Sequence, residues 1–122
     1  MIDLYTSPTP NGWKVAMVLE ELKLDYKVKY VDLSIGYQHK STFLNMNPNG
    51  RIPVIVDHGA DGQTIFDSNA ILFYLAEKTG KLLPSKGPER HEVIQWLMFQ
   101  ASGIGPMQGQ AVAFERYFPD DV

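Results

Sequence analysis

A proline stands inside the apolar run Ile52-Pro53-Val54-Ile55-Val56-Asp57. The run is apolar on both faces, which suits a strand at the centre of a sheet. Proline has no N–H to give a β-ladder, so within sheets it is confined to an edge, a strand's first residue or a bulge. Two arrangements meet both conditions. An ordinary trans proline can mark the strand's entrance. Alternatively, a cis Ile52–Pro53 peptide can start the strand and leave the backbone N–H and C=O of Ile52 facing a cleft. A free backbone pair of that kind hydrogen-bonds an extended peptide as an added strand would.

The segments on either side give an order of elements. Ile2-Asp3-Leu4-Tyr5 alternates as a short strand does and ends at Ser7-Pro8-Thr9-Pro10-Asn11-Gly12. A helix is expected next, capped by Asn11, with Val15, Val18, Leu19 and Leu22 on its apolar side. Tyr26 to Val31 alternates as a strand with one wet face, and residues 34–49 read as a loop with one helical turn around Ser41–Leu44. After the apolar run, His58-Gly59-Ala60-Asp61-Gly62 turns the chain into Gln63-Thr64-Ile65-Phe66, a hairpin pattern. Asp67-Ser68 then opens a helix whose stripe is Ile71, Leu72, Leu75 and Ala76 and whose stop is Gly80. The order is β-α-β, a loop, then β-β-α, an α/β domain over residues 1–83.

Residues 84–122 read differently. Pro88 suits the first turn of a helix with Val93, Trp96, Leu97, Ala101 and Ile104 as its stripe, broken by Gly103-Ile104-Gly105-Pro106. A piece of fewer than ~40 residues seldom buries enough surface to fold alone. This one also carries Trp96, Phe99, Phe114 and Phe118. The expectation is the start of a longer all-helical domain, or a surface that a partner chain covers.

Charge and composition exclude several classes. The chain holds 11 Lys+Arg against 14 Asp+Glu, a net charge of −3, and no basic block that would footprint nucleic acid. No run approaches the ~20 apolar residues of a membrane span, and the first residues lack a signal-peptide pattern. There is no cysteine, hence no disulfide, thiolate metal site or cysteine nucleophile. A cytoplasmic setting is the plain expectation. His39, His58 and His91 have no metal-ligand spacing and read as surface, and no metal is expected. Asp57, Asp61, Glu89 and Glu92 read as solvated charges, while Trp13 and Met17 read as packing.

Two further places suit chemistry. Asp67-Ser68 is an N-cap pattern, and the same geometry can bind an α-amino-acid head group. Backbone N–H groups and the Ser68 hydroxyl would take its carboxylate, and Asp67 its ammonium. Ser7-Pro8-Thr9-Pro10-Asn11 lies at the exposed end of a β-α unit, where open α/β sheets bind ligands. Hydroxyl and amide groups there can donate to a bound thiolate. A hydrogen bond to a charged group is worth about 1.5–3 kcal/mol. Made only to the thiolate, one such bond lowers a thiol pKa near ~8.5 by about 1–2 units. The same residues serve equally as turn formers and a cap.

Tyr5 to Gly12, Asn47-Pro48-Asn49-Gly50-Arg51-Ile52-Pro53-Val54 and Phe66-Asp67-Ser68-Asn69-Ala70-Ile71 together resemble the N-terminal domain of cytosolic glutathione transferases. The resemblance is greatest to the bacterial nu class and to prion-type nitrogen regulators of that fold. Tyr74 to Gly80, Gln95 to Gln100 and Gly105-Pro106 extend it along the chain. It implies a thioredoxin-like domain followed by the start of a helical domain, with glutathione as co-substrate. It places Asn11 and Thr9 near the glutathione sulfur, with Ser7 as a rival and Tyr5 in the core. Gln38 would meet the glycyl end, Ile52 would pair with the cysteinyl unit ahead of a cis Pro53, and Asp67 and Ser68 would hold the γ-glutamyl head. The implied activities are glutathione-dependent disulfide reduction and conjugation of small electrophiles, a detoxification chemistry. A homodimer completed by the full helical domain is also implied. The competing reading is a non-catalytic binding or regulatory module of the same fold, or an inactive truncated fragment.

Overall fold

The computed structural model describes residues 1–118. The chain falls into two compact units, Met1–Leu82 and Leu83–Val122. The first contains β1 (Ile2–Thr6), α1 (Pro10–Glu21), β2 (Tyr26–Tyr30), α2 (Ser41–Leu44), β3 (Val54–Asp57), β4 (Gln63–Phe66) and α3 (Ser68–Thr79). Single 3₁₀ turns at Leu33–Ile35, Tyr37–His39 and His58–Ala60 join them. The sheet order is β2-β1-β3-β4. β1 pairs parallel with β2, and β3 runs antiparallel to both β1 and β4. The element order is the one read from the sequence, in the thioredoxin-like arrangement that the family resemblance implied.

The apolar pattern explains the layers. Ile2, Leu4 and Ile55 point to one face of the sheet and form a core with Val15, Leu19 and Leu22 from α1 and its end and with Ile71 and Leu75 from α3. Val54 points to the other face and packs with Val31 and Phe43, against which Tyr5 and Ile52 also lie. Both faces of β3 are therefore covered, as its unbroken apolar run requires. The expected helical turn around Ser41–Leu44 is α2, and it exists to bury Phe43 completely. β3 starts at Val54, after a cis Ile52–Pro53 peptide, so the proline stays out of the ladder.

Three expectations need correction. Thr9, not Asn11, caps α1: its backbone is extended and its side chain accepts from the Gly12 N–H at 3.4 Å. Pro10 has no N–H to leave unsatisfied and takes the first helical position, which moves the cap back and puts Asn11 in the first turn. Trp13 and Met17 are not packed within the structure but exposed. Asp57 is not a solvated charge. It is 1% exposed at the end of β3, where its Oδ2 accepts from the Tyr74 hydroxyl at 2.7 Å and pairs with Lys78 Nζ at 2.8 Å. Its Oδ1 accepts from the Gly59 N–H at 3.0 Å.

The second unit contains α4 (Pro88–Phe99) and α5 (Gly105–Arg116), joined by a π-helical segment, Gln100–Ile104. The expected break at Gly103–Pro106 is thus a widened turn instead. Gly105 donates its N–H to the Gln100 carbonyl, and Pro106 sits in the first turn of α5. A Cβ on Gly105 would stand 3.0 Å from Gln100 Nε2 and 3.1 Å from that carbonyl, closer than an ordinary van der Waals contact. Trp96 packs edge-to-face on Phe99 with centroids 5.6 Å apart, and Phe114 lies 5.1 Å from Phe118. All four rings remain exposed among the described residues. No helix among them is long and apolar enough to cross a membrane.

The buried Asp57 cluster has a pH signature. Burial pushes the Asp57 carboxyl up, but the Lys78 and Tyr74 hydrogen bonds, the Lys78 charge and the Gly59 N–H outweigh it and hold the group below its ordinary value. Burial, together with the Asp57 carboxylate, pushes the Tyr74 hydroxyl up to about 12. A raised folded-state pKa gives stability that is complete below the unfolded value of about 10 and is lost as pH rises toward the folded value. Tyr74→Phe should therefore cost about 1–2 kcal/mol at neutral pH, and the gap to the parent chain should shrink between about pH 10 and 12. Urea unfolding across that range checks it, and a gap independent of pH would refute the assignment.

Candidate active site at one edge of the sheet

Strand register alone gathers the site. Tyr5 pairs with Val54, and Val54 with Phe66. Because β3 runs against both neighbours, its entrance lies beside the exits of β1 and β4. The loop from Ser7 to Asn11, the Ile52–Pro53 peptide and the Asp67–Ser68 corner therefore meet at one edge. The start of α1 and the start of α3 lie at this edge, which brings two helix N-termini and their partial positive charge to it.

At the exit of β1 the chain turns sharply, with the Thr9 N–H on the Ser7 carbonyl at 2.7 Å. Ser7 is buried and its hydroxyl donates to the Val31 carbonyl. A hydroxyl has one hydrogen to give, so the Ser7 hydroxyl is already occupied as a donor. Thr9 Oγ1 accepts from Gly12, which leaves its hydrogen to donate outward. Asn11 is exposed in the first turn of α1.

The approach to Pro53 is organised by Asn47, a buried residue to which the sequence reading gave no role of its own. Its Nδ2 donates to the Arg51 carbonyl at 2.7 Å, its Oδ1 accepts from the Asn49 N–H at 2.9 Å, and its carbonyl accepts from the Gly50 N–H at 2.9 Å. The Asn-Pro-Asn-Gly turn pattern was the available signal. Ile52 lies outside the β3 ladder, which starts at the Tyr5–Val54 pair. Gln38, in the 3₁₀ turn Tyr37–His39, is brought to the same loop: a Cβ on Gly50 would lie 3.3 Å from its carbonyl oxygen. Its Oε1 is buried and has no hydrogen-bond partner among the described residues. Lys40 stacks its ammonium 5.1 Å from the centre of the Tyr37 ring.

At the exit of β4, Asp67 caps α3. Its Oδ1 accepts from the N–H groups of Asn69 at 3.0 Å and Ala70 at 3.3 Å. Its backbone has φ 73° and ψ 120°, a conformation costing about 1–3 kcal/mol that a side chain bonding its own helix can hold in place. Ser68 follows at the first helical position. Lys14, from α1, donates to Asn69 Oδ1 at 2.5 Å. Burial pushes its ammonium below the ordinary lysine value, and the Asp67 charge opposes that shift. The three histidines are exposed, and His58 Nε2 lies 3.0 Å from Asp3 Oδ2. Among the described residues no group of three or more His, Asp or Glu side chains could hold a metal.

Residues 9–78 match the model of the glutathione S-transferase N-terminal domain, more than half of the chain. The chain belongs to the glutathione transferase family. The matched stretch runs from Thr9 into the last turn of α3 and so spans Thr9, Asn11, Gln38, Ile52, Pro53, Asp67 and Ser68, with Ser7 just ahead of it. The disulfide-bond oxidoreductase YfcG of Escherichia coli is 48% identical across all of this chain, which covers 59% of it. A glutathione transferase from Burkholderia graminis, solved with two glutathione molecules per subunit, is 46% identical with a TM-score of 0.91. The alignment covers 98% of this chain and 51% of that one. The transferase URE2P6 of Phanerochaete chrysosporium, solved with oxidized glutathione, is 44% identical with a TM-score of 0.93, over 99% of this chain and 57% of that one. The chain thus spans half to three-fifths of the length of these relatives.

In this glutathione transferase domain the tightest steric point of the site is Gly12. A Cβ there would lie 2.2 Å from Thr6 Oγ1 and 2.6 Å from the Ser7 carbonyl. Gly12→Ala should therefore destabilise by about 1–3 kcal/mol, reversing the gain of up to ~1 kcal/mol that alanine brings to an open helix position. A denaturant midpoint at or above that of the parent chain would contradict this packing.

Proposed function

We propose that the chain binds glutathione along this edge and stabilises its thiolate for disulfide reduction. The observation that carries the reading is the meeting of Thr9 and Asn11, Ile52, and Asp67 and Ser68 at the entrance of β3. Asp67 Oδ1 is used as a cap, so Oδ2 takes the γ-glutamyl ammonium while Ser68 and the α3 N-terminus take its carboxylate. The backbone of Ile52 pairs with the cysteinyl unit, and the Gln38 side chain meets the glycyl end. The thiol then lies at the start of α1, where Thr9 and Asn11 donate to the sulfur. Similarity to a disulfide-bond oxidoreductase and to transferases solved with glutathione and with oxidized glutathione supports this choice.

With no cysteine in the chain, both thiols come from glutathione. The bound thiolate bonds to one sulfur of a disulfide, and the other sulfur leaves and takes up the released proton. A second glutathione thiolate attacks the mixed disulfide, freeing the second thiol and yielding glutathione disulfide. Conjugation to a small electrophile would use the same thiolate with a different acceptor. A homodimer, a cytoplasmic setting and a detoxifying role complete the proposal.

Calorimetric titration with reduced glutathione and with its disulfide tests the site. Asp67→Asn keeps a good cap and tolerates a positive φ, so it should preserve the melt while weakening glutathione binding about ten- to a hundredfold. Asn11→Ala, at an exposed position, should raise the pKa of the bound thiol by about 1–2 units, read from thiolate ultraviolet absorbance. An unchanged absorbance titration in both Asn11→Ala and Thr9→Val would reject the thiolate role. Binding without turnover of disulfides would favour the non-catalytic module.

A further inference from the structure

Lys14 has no part in that reading, yet it is the cation that joins the two helices of the site. It rises from the second turn of α1, two residues past the tight Gly12 contact, and its Nζ donates to Asn69 Oδ1 at 2.5 Å. Asn69 is 3% exposed, and its backbone N–H is held by Asp67 Oδ1 at 3.0 Å. One buried asparagine thus links an ammonium on α1, through its side-chain oxygen, to the carboxylate at the start of α3, through its backbone N–H. Taking an ammonium out of water is costly, and the site gains by it only if the charge has something to act on. The Asp67 carboxylate is one such object. On its own it would make the head-group corner negative, which favours a ligand ammonium and repels a ligand carboxylate.

We infer that Lys14 is a positioning and specificity-determining residue, which through Asn69 offsets the Asp67 charge and so makes the corner accept a zwitterionic α-amino-acid head rather than a bare amine. The inference rests on the glutathione reading above and adds which feature of the head group is selected. Asp67 secures the ammonium, Ser68 and the α3 N-terminus meet the carboxylate, and Lys14 supplies the positive potential that lets both signs sit side by side. A purely structural lysine would brace α1 against α3 and support any ligand at the corner equally.

The test compares glutathione with 4-aminobutanoyl-cysteinylglycine, which keeps the amine and lacks the α-carboxylate. Both are titrated calorimetrically into the parent chain, Lys14→Met and Lys14→Arg. The parent should prefer glutathione by at least about tenfold, since the carboxylate makes charge-assisted hydrogen bonds. In Lys14→Met, which keeps an apolar stem of similar size, glutathione should weaken about tenfold while the analogue changes less than about threefold. Lys14→Arg should retain the parent preference. Equal weakening of both ligands in Lys14→Met, or a lost preference in Lys14→Arg, would overturn the inference and leave the glutathione site standing. A folded parent chain that binds neither ligand would overturn both.

Discussion

β3 runs antiparallel to both of its neighbours and starts only at Val54, and the site follows from those two facts. A strand so placed shares its entrance with the exits of β1 and β4, whatever the loops contain. Each exit leads at once into a helix, α1 after Thr9 and α3 after Asp67. Two helix N-termini therefore reach one edge without any contact between distant loops being needed to bring them there. Pro53 fixes where this happens, because a residue without an N–H cannot continue the ladder one step further toward the edge.

The two ends of β3 are treated oppositely. At the Asp57 end every strong acceptor is consumed: Tyr74 and Lys78 bond one oxygen and Gly59 the other. A carboxylate buried to that degree is tolerable only when fully partnered, and breaking one bond leaves an exposed cost rather than a missing gain. At the Val54 end the polar groups are held in place but not exhausted. Asn47 spends its side chain on the loop, Ser7 spends its hydroxyl on Val31, and Asp67 spends one oxygen on its helix. Thr9 keeps its hydrogen, and the buried Gln38 Oε1 has no partner among the described residues. A rigid pole and an available pole on a single four-residue strand are what a binding edge requires.

Much of this was legible in the sequence because it is local. The stripes of α1 and α3, the Gly80 stop and the run of β3 each depend on residues within one element. What was not legible depends on pairs far apart in the chain. Asp57 looks like an ordinary surface charge at a strand end, and only its placement beside Tyr74 and Lys78, one helical turn apart on α3, buries it. Lys14 reads as a helix surface residue until α1 packs against α3 and meets Asn69. Asparagine's capping preference points to Asn11, whereas Pro10 at the first helical position sets the cap two residues earlier at Thr9. Glycine and proline together signal a break where the chain has a π segment. Here, Gly105 is small enough for the backbone to widen and continue.

Electrostatics connects the fold to the proposed chemistry. Glutathione with an ionised thiol carries two carboxylates and one thiolate against a single ammonium, a net charge of −2, while the chain as a whole is −3. Binding such a ligand against that background needs positive potential concentrated where the ligand lies. Two helix ends and Lys14 lie at the edge where the ligand is proposed to bind, and the proposed pose sets its one positive group against Asp67. In that pose the sulfur, at the start of α1, would experience the same potential. Each 1.36 kcal/mol of preference for the thiolate over the thiol lowers its pKa by about one unit. On the proposed reading, Lys14 at the head group and Asn11 at the sulfur are thereby parts of one field. Because α1 carries both, the helix that would orient the thiol would also help hold the opposite end of the ligand.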